Sequence, residues 1–117
     1  GSPVSMKWPT IRDERRIATA VRFIELHFRR PLSLEELSAL VDISPYHFLR
    51  TFKQVIGLTP HQFILRRRLS EAALRLRTTA EPVLDVALDA GFGDLSNFNH
   101  TFRAAFGTTP TEYRAFE

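Results

Sequence analysis

The sequence contains no cysteine, and this absence excludes several kinds of chemistry at once. Without a thiol the chain can form no disulfide, no thiolate-ligated metal site and no cysteine nucleophile. No apolar run is long enough to cross a membrane as a helix, and no basic-then-apolar stretch suggests a secretion leader. We therefore expect a protein of the reducing cytoplasm that has no membrane among its partners.

The patterns that usually mark an active site are also missing. The four histidines, His27, His47, His61 and His100, do not have the spacing of a metal site. No Ser-His-Asp set and no glycine-rich phosphate loop is visible. The sequence therefore predicts a protein that is not an enzyme, with no catalytic residue, no metal and no cofactor.

What the sequence does contain favours a small helical domain. Its 117 residues are enough to bury a core, and its ten phenylalanines predict that aromatic packing dominates that core. Apolar residues recur at helical spacings, as at Ile17, Val21, Ile24 and Phe28, and no segment alternates with period two. This stretch predicts a first helix over residues 12–28. The formal net charge of +3 permits a polyanionic partner without identifying one.

Capping residues delimit six further helices. The starts predicted in this way are Ser33, Ser44, Thr59, Pro82, Asp94 and Thr109. At Ser33, Thr59 and Thr109 a Glu or Gln three residues later completes a capping box. Asp42, after the second helix, is expected to occupy a left-handed turn. The predicted fold class is therefore all-α, with seven helices.

The chain also contains an internal repeat. Residues 44–63 and 94–113 both carry Phe, two residues, Thr-Phe and a base, and both continue to Gly, any residue and Thr-Pro. The helices that precede these stretches align as well, so each copy is a short helix, a tight turn, a longer helix and a stop. This is the layout of a helix-turn-helix, whose second helix enters the major groove of DNA. The sequence thus predicts two helix-turn-helix subdomains joined by a long linker helix at about residues 60–77.

The outward faces of the second helices favour DNA binding over a plain duplicated helical bundle, which would explain the buried positions equally well. The outward residues of the first copy are Tyr46, Leu49, Arg50 and Lys53. No acidic residue occurs between Asp42 and Glu71, whereas a solvated face normally mixes both signs. An acid-free stretch suits contact with phosphates. The outward set of the second copy carries less charge and consists of Leu95, Ser96, Asn97, Asn99, His100 and Arg103.

These motifs and their spacing resemble the DNA-binding domain of AraC/XylS-type bacterial transcription regulators. The positions that match its signature region are Arg68-Leu69, Ala72, Leu76, Val83, Val86-Ala87, Gly91-Phe92, Phe98, Phe102, Gly107 and Thr109-Pro110. The resemblance covers about residues 12–116. The chain departs from the family pattern at Asp42, where the first turn usually has glycine. It departs again at Leu49 and Leu95, which are apolar at positions where readout residues are often polar.

The resemblance implies a regulator that binds double-stranded DNA sequence-specifically, with two recognition helices in successive major grooves of an asymmetric, bipartite site. A linker helix of roughly 27 Å, at 1.5 Å per residue, would serve half-sites about ten base pairs apart. For activators the resemblance also implies contact with RNA polymerase. It further implies an N-terminal effector or dimerisation domain elsewhere in the full-length protein. The expected location is the cytoplasm, in association with the nucleoid.

The same resemblance implies base-contacting residues, position by position. They are Tyr46, Leu49 and Arg50 in the first subdomain, and Leu95, Ser96, Asn99 and His100 in the second. Arg50 can donate two hydrogen bonds to guanine O6 and N7, and Asn99 can pair with adenine. Tyr46 or Leu49 can lie against a thymine methyl group. Because His100 occupies the place of Arg50 in the repeat, weaker or more degenerate readout is expected from the second subdomain.

Phosphate contacts are expected from polar side chains around these bases and from helix starts. The candidates are Ser44, Thr51, Lys53, Asn97, Thr101 and Arg103, with the helix starts at Thr59 and Thr109. Free backbone amides and the positive end of the helix dipole attract anions at such starts. Arg68 is implied to be structural, paired with Glu71 or with a backbone carbonyl.

The predicted organisation has four parts. Residues 1–9 form a tag and a loose N-terminal arm, in which Gly1-Ser2 resembles a cloning remnant. For Lys7 and Trp8 a frayed terminus is favoured over a functional role, which stays open. Residues 10–58 form the first helix-turn-helix subdomain, residues 59–79 the linker helix and residues 80–117 the second subdomain.

Two alternatives to sequence-specific binding remain open. The chain could be a protein-interaction module that binds a partner helix through residues such as Leu49 and Leu95. It could instead be an architectural protein that binds DNA without sequence preference. Steep salt dependence separates DNA binding from the first alternative, because neutralising phosphates releases counterions.

Overall fold

The computed structural model describes residues 8–116, and every regular element within them is an α-helix. The helices are α1 (Ile11–His27), α2 (Leu34–Leu40), α3 (Pro45–Ile56), α4 (Pro60–Thr78), α5 (Val83–Asp89), α6 (Leu95–Phe106) and α7 (Pro110–Ala115). The predicted all-α class with seven helices is confirmed for this part of the chain. Of the predicted arm at residues 1–9, all but Trp8 and Pro9 lies outside the described residues, Lys7 included.

The chain divides into two compact units. Unit 1 contains the residues up to Leu26 together with Leu32–Phe63, and unit 2 contains His27–Pro31 and the residues from Ile64 onward. Unit 1 therefore holds the helix pair α2–α3, and unit 2 holds the pair α5–α6. Helix α4 begins in unit 1 and continues into unit 2.

The core of unit 1 is built from one apolar face of each helix. Ile17, Ala20 and Ile24 of α1 are completely buried, as are Phe48 and Phe52 of α3. The ring centroids of Phe48 and Phe52 lie 5.6 Å apart, within the range of favourable aromatic pairs. Burying one such side chain contributes about 1.5–3 kcal/mol. This packing decides which side of α3 faces outward.

Unit 2 repeats this arrangement with its own residues. Its core consists of Leu69, Ala72, Ala73, Leu76, Val86, Ala87, Ala90, Phe92, Phe98 and Phe102. Phe98 and Phe102 correspond to the buried phenylalanines of α3, and their ring centroids also lie 5.6 Å apart. Helix α6 therefore exposes the side that corresponds to the outer side of α3.

A residue with positive φ closes the turn between the two helices of each pair. Asp42 has φ 61°, and Gly91, its counterpart in unit 2, has φ 106°. In each turn the amide of the next residue, Ile43 or Phe92, donates to the carbonyl five residues earlier, at 3.2 and 3.0 Å respectively. This is the hydrogen bond of a Schellman motif. The left-handed turn expected at Asp42 is confirmed.

The space around Gly91 also requires glycine. A Cβ at this position would lie 2.9 Å from Nε of Arg68 and 3.1 Å from backbone atoms of Arg29. The backbone of Arg29 cannot move aside as the end of a flexible side chain can. Gly91 is therefore fixed both by its φ angle and by its neighbours, whereas Asp42 fills the equivalent place in unit 1.

Arg68 holds the segment His27–Pro31 within unit 2. Its Nε donates to the carbonyl of Phe28 at 2.7 Å, and its Nη2 donates to the carbonyl of Arg30 at 3.0 Å. Burial lowers the pKa of Arg68, but an arginine remains charged at neutral pH. The expected structural role is confirmed with carbonyl partners. Glu71 instead forms an ion pair with Arg29 at 2.6 Å.

Candidate nucleic-acid interface

Helix α3 is fixed at both ends by its own sequence. Ser44 is the N-cap, and its Oγ accepts a hydrogen bond from the amide of His47 at 3.1 Å. Pro45 occupies the first turn, where a missing N–H is tolerated. Gly57 ends the helix with φ 86°. The cap uses only an acceptor lone pair of Ser44, so its hydroxyl proton stays available to the predicted phosphate.

The side of α3 opposite its buried phenylalanines carries the predicted reading residues. Tyr46 is 69% exposed, and Arg50 and Lys53 are exposed on the same side. Leu49 is half-buried. The structure therefore brings Tyr46, Arg50 and Lys53 together on an exposed face of unit 1, with Leu49 only partly accessible.

Thr51 does not belong to that face. Only 2% of it is exposed, because it follows Phe48 by three positions and shares the buried stripe of the helix. Such burial leaves little of the side chain open to a phosphate, so the predicted contact at Thr51 is disfavoured. Its counterpart Thr101 is half-buried, and its Oγ1 donates to Oδ1 of Asn97 at 3.4 Å.

The guanidinium of Arg50 has an aromatic neighbour and no carboxylate partner within residues 8–116. Its Cζ lies 5.8 Å from the ring centroid of Tyr46. Other arginines are committed to acids, as in the 2.6 Å pair of Arg75 with Glu81. The donors of Arg50 are therefore available to a ligand.

Residues at the start of α1 border the same face. Trp8, Thr10 and Asp13 line a groove together with Tyr46, His47, Arg50, Thr51 and Gln54. Oδ1 of Asp13 lies 3.7 Å from Nε2 of His47. Sequence reasoning did not identify Asp13 or Gln54, because neither belongs to a motif. The available signal for Gln54 was its helical spacing of four from Arg50.

The start of α4 offers fewer backbone donors than expected. The amide of Thr59 donates to Oε1 of Gln62 at 3.0 Å, and the amide of Gln62 donates to Oγ1 of Thr59 at 3.1 Å. The capping box is confirmed, and it occupies the amides of Thr59 and Gln62. Pro60 has no N–H, so His61 carries the one amide of this first turn that has no acceptor within residues 8–116.

Helix α6 is framed like α3. Asp94 is the N-cap, and its Oδ1 accepts a hydrogen bond from the amide of Asn97 at 2.7 Å. Gly107 ends the helix with φ 76°. The predicted outward residues are all exposed, namely Leu95, Ser96, Asn97, Asn99, His100 and Arg103.

In unit 2 the predicted residues border one groove. Asn99, His100 and Arg103 of α6 line it together with Thr109, Pro110 and Thr111 at the start of α7. The structure thus places two predicted base readers and one predicted phosphate contact beside a helix start. Thr111 was not predicted. Its signal was its position two residues after the N-cap, where a backbone amide has no partner within the helix.

The capping residues at the start of α7 form one more hydrogen bond than those at the start of α4. The amide and the hydroxyl of Thr109 both donate to Oε1 of Glu112, at 3.1 and 2.9 Å. The amide of Glu112 donates back to Oγ1 of Thr109 at 3.1 Å. Within residues 8–116 the available backbone donor of this helix start is therefore the amide of Thr111. The hydrogen bond from the Thr109 backbone lowers the pKa of Glu112, so this carboxylate stays charged at neutral pH.

The two units differ in charge at matching helix starts. Unit 1 has the neutral Ser44 and Gln62 where unit 2 has Asp94 and Glu112. Carboxylates at these places repel a polyanion, because like charges at close range raise the energy of the bound state. At these two helix starts, unit 1 is therefore less repulsive to an anion than unit 2.

No described helix is both long and apolar enough to cross a membrane. Within residues 8–116, no three His, Asp or Glu side chains are grouped so that they could hold a metal ion. The chemistry that these surfaces present is that of hydrogen-bond donors, amide groups and cations on two helices.

Residues 37–115 match a family model described as a helix-turn-helix domain. The chain is 35% identical over 98 residues to the regulatory protein SoxS of Salmonella typhimurium, which covers 84% of this chain and 92% of that protein. Two other curated relatives are longer proteins, and this chain spans only 38% of the length of one and 32% of the length of the other.

Solved structures share the fold. A transcriptional regulator with an AraC-type DNA-binding domain, from Chromobacterium violaceum, matches with a TM-score of 0.80 and 31% identity, over 87% of this chain and 91% of that one. The DNA-binding domain of AdpA, in complex with a target DNA, matches with a TM-score of 0.81 and 29% identity, over 86% of this chain and 90% of that one.

Proposed function

We propose that this chain, which belongs to the AraC-type family of helix-turn-helix transcription regulators as a DNA-binding domain, recognises a specific DNA sequence. The proposed target is an asymmetric, bipartite site in double-stranded DNA. Its relatives are regulators and not enzymes, so the prediction that the chain is not an enzyme is confirmed. In the proposal, α3 and α6 each enter a major groove, at half-sites about ten base pairs apart. Residues 10–58 and 80–117 are the two reading subdomains, and residues 59–79 are the linker.

The outer face of α3 is the observation that carries this proposal. Arg50 and Lys53 are exposed there, Arg50 has no carboxylate partner within residues 8–116, and residues 43–70 contain no acid. Arg50 donates two hydrogen bonds to guanine, which discriminates by about 1–3 kcal/mol against a wrong base. Of its two neighbours on this face, Leu49 supplies apolar surface suited to a thymine methyl group, and Tyr46 lies against Arg50 itself.

The second half-site is read by the outer face of α6. Asn99 pairs with adenine through its side-chain amide, while Leu95, Ser96 and His100 flank it. None of these residues carries the fixed charge of Arg50, so weaker and less selective base contacts are proposed here. Where direct contacts are thin, the local shape of the DNA contributes to the preference.

Phosphate contacts fix the register of the domain on DNA. Lys53 and Arg103 supply the exposed cations, and Ser44, Asn97 and Thr101 supply hydrogen bonds from the same helices. At the starts of α4 and α7, next to Thr59 and Thr109, the donors are the amides of His61 and Thr111. Thr51 is not part of this set, because it is buried.

The full-length protein is proposed to carry more than this domain. Its first curated relatives are more than twice as long as this chain, which is consistent with a further N-terminal effector or dimerisation domain. RNA polymerase is the second proposed partner, in case the protein is an activator. The proposed location is the cytoplasm, on the nucleoid.

Selection from a random duplex library at near-physiological salt, followed by sequencing, tests the proposal. Two enriched blocks about ten base pairs apart, in an asymmetric motif, are the expected outcome. Enrichment of a single block would assign sequence reading to one unit and backbone contact to the other. Retained DNA without a motif would identify an architectural binder, and no retained DNA would favour a protein partner.

A further inference from the structure

Tyr46 and Arg50 lie one helical turn apart on the outer face of α3. Residues four apart on a helix are neighbours on its surface. The guanidinium carbon of Arg50 lies over the ring of Tyr46, 5.8 Å from the centroid, within the range of a cation–π contact. Tyr46 is 69% exposed, so its ring is free to contact either a DNA base or the arginine.

The nearest elements provide no competing anchor for Arg50. The carboxylate of Asp13 borders the same groove, but it forms an ion pair with Arg16 at 3.6 Å, and its Oδ1 lies 3.7 Å from Nε2 of His47. Within residues 8–116 the tyrosine ring is the one group that the structure shows in contact with this guanidinium. Restricting a long side chain before binding reduces the entropy that is lost when it meets its target.

We infer that Tyr46 is a positioning residue that holds Arg50 for its guanine, rather than a reader of a base of its own. The inference rests on the proposed function, in which Arg50 reads guanine. The hydroxyl of Tyr46 has no part in this role, because the contact uses the face of the ring. The side-chain property that matters at position 46 is therefore an aromatic ring.

Unit 2 supplies the natural comparison. The residues that correspond to Tyr46 and Arg50 are Ser96 and His100, and both are exposed on α6. The two helices have the same length of 12 residues and the same type of glycine stop. A tyrosine and an arginine at positions 96 and 100 would therefore stand on a helix of the same length and with the same end as α3.

The first test compares Tyr46→Phe, Tyr46→Leu and Arg50→Ala by library selection and by binding to single-base variants of the selected site. Tyr46→Leu is expected to lower the preference for guanine roughly two- to five-fold, at the same base pair that Arg50→Ala affects. Tyr46→Phe is expected to retain the preference. In the double variant, Tyr46→Leu should add no further loss to that of Arg50→Ala.

Three outcomes would overturn the inference. Tyr46→Leu could alter a different base pair from Arg50→Ala, its effect could add fully to that of Arg50→Ala, or the preference could be unchanged. Melting curves of each variant show whether the domain stays folded. A parent domain that selects no motif would overturn the proposed function as well, whereas a parent motif that survives Tyr46→Leu would overturn the inference alone.

The second test transfers the pair to unit 2. His100→Arg alone and His100→Arg together with Ser96→Tyr are compared by selection. The double variant is expected to gain a guanine preference in the second block that exceeds that of His100→Arg roughly two- to five-fold. Equal preferences for the two variants would contradict a positioning role for the ring.

Discussion

Glu112 accepts hydrogen bonds from both the amide and the hydroxyl of Thr109, at 3.1 and 2.9 Å. Gln62 accepts the equivalent amide bond from Thr59 at 3.0 Å. Both caps fix the start of a helix by the same geometry. One of them, however, adds a negative charge beside the proposed DNA surface. Exchanging the two side chains therefore changes the charge while a cap remains possible at each helix.

Glu112→Gln is expected to strengthen DNA binding, and Gln62→Glu to weaken it, each roughly two- to five-fold. The reason is the repulsion between a carboxylate at the helix start and the phosphates. Fluorescence anisotropy with the selected duplex at two salt concentrations measures both changes. Each effect should shrink at the higher salt, because exposed charges are screened. Changes of the same sign in both variants would contradict this account.

The stability of the domain should depend on pH through Glu112. Its pKa is lowered in the folded state by hydrogen bonds from Thr109, so its contribution is present above the unfolded pKa. That contribution is lost as the pH falls through the lowered folded pKa. Melting temperatures of the parent and of Glu112→Gln, measured from neutral to acidic pH, should therefore converge at the acidic end. A difference that is constant across this range would exclude the linkage.

Arg50→Ala and Lys53→Ala form a matched pair, because both remove an exposed cation from the outer face of α3. Arg50→Ala should relax the preference at one or two base pairs, at a cost of about 1–3 kcal/mol. Lys53→Ala should weaken binding evenly across sequences and reduce the salt slope by about one. Binding to a panel of duplexes at several salt concentrations separates the two patterns. If Arg50→Ala weakened binding evenly and Lys53→Ala relaxed the base preference, Arg50 would be the phosphate contact and Lys53 the base contact.

The helix-turn-helix turns should respond differently to substitution. Gly91→Ala is expected to destabilise the domain by about 2–5 kcal/mol, because a left-handed φ costs about 1–2 kcal/mol and overpacking about 1–3 kcal/mol. Asp42→Gly is expected to change stability by less than about 1 kcal/mol, because glycine adopts this turn without strain. Chemical denaturation measures both. If Gly91→Ala unfolds at the same denaturant concentration as the parent, the described contacts with Arg29 and Arg68 are not restrictive.

Much of the fold could be predicted because its signals are local. Helix starts such as Ser44 and Asp94, and the turn at Asp42, depend on residues within a few positions of each other. The repeat added a second copy of each signal. The partners of Arg68 were left open, because they are carbonyls about 40 positions earlier in the chain and no local pattern specifies them.

The errors at the candidate site have physical reasons that the sequence contained in part. Thr51 was chosen for its hydroxyl, although its spacing of three from Phe48 places it on the buried stripe. The capping boxes at Thr59 and Thr109 were predicted, and each of them pairs two amides of its helix start. The number of amides left for a ligand follows from the cap geometry, and the sequence analysis did not work it out. The neighbours of Arg50 from the start of α1 depend on tertiary packing.

The hydrogen bonds of Arg68 also bear on how such a domain can be cut and recombined. They bind His27–Pro31, an early segment of the chain, into a unit whose other residues begin at Ile64. A fragment that begins at the linker would lack these two carbonyls. The partly buried guanidinium of Arg68 would then have no acceptors, which is destabilising. The two halves are therefore repeated in sequence, but one cannot simply replace the other. A chimaera that exchanges the second half would have to carry the loop after α1 with it.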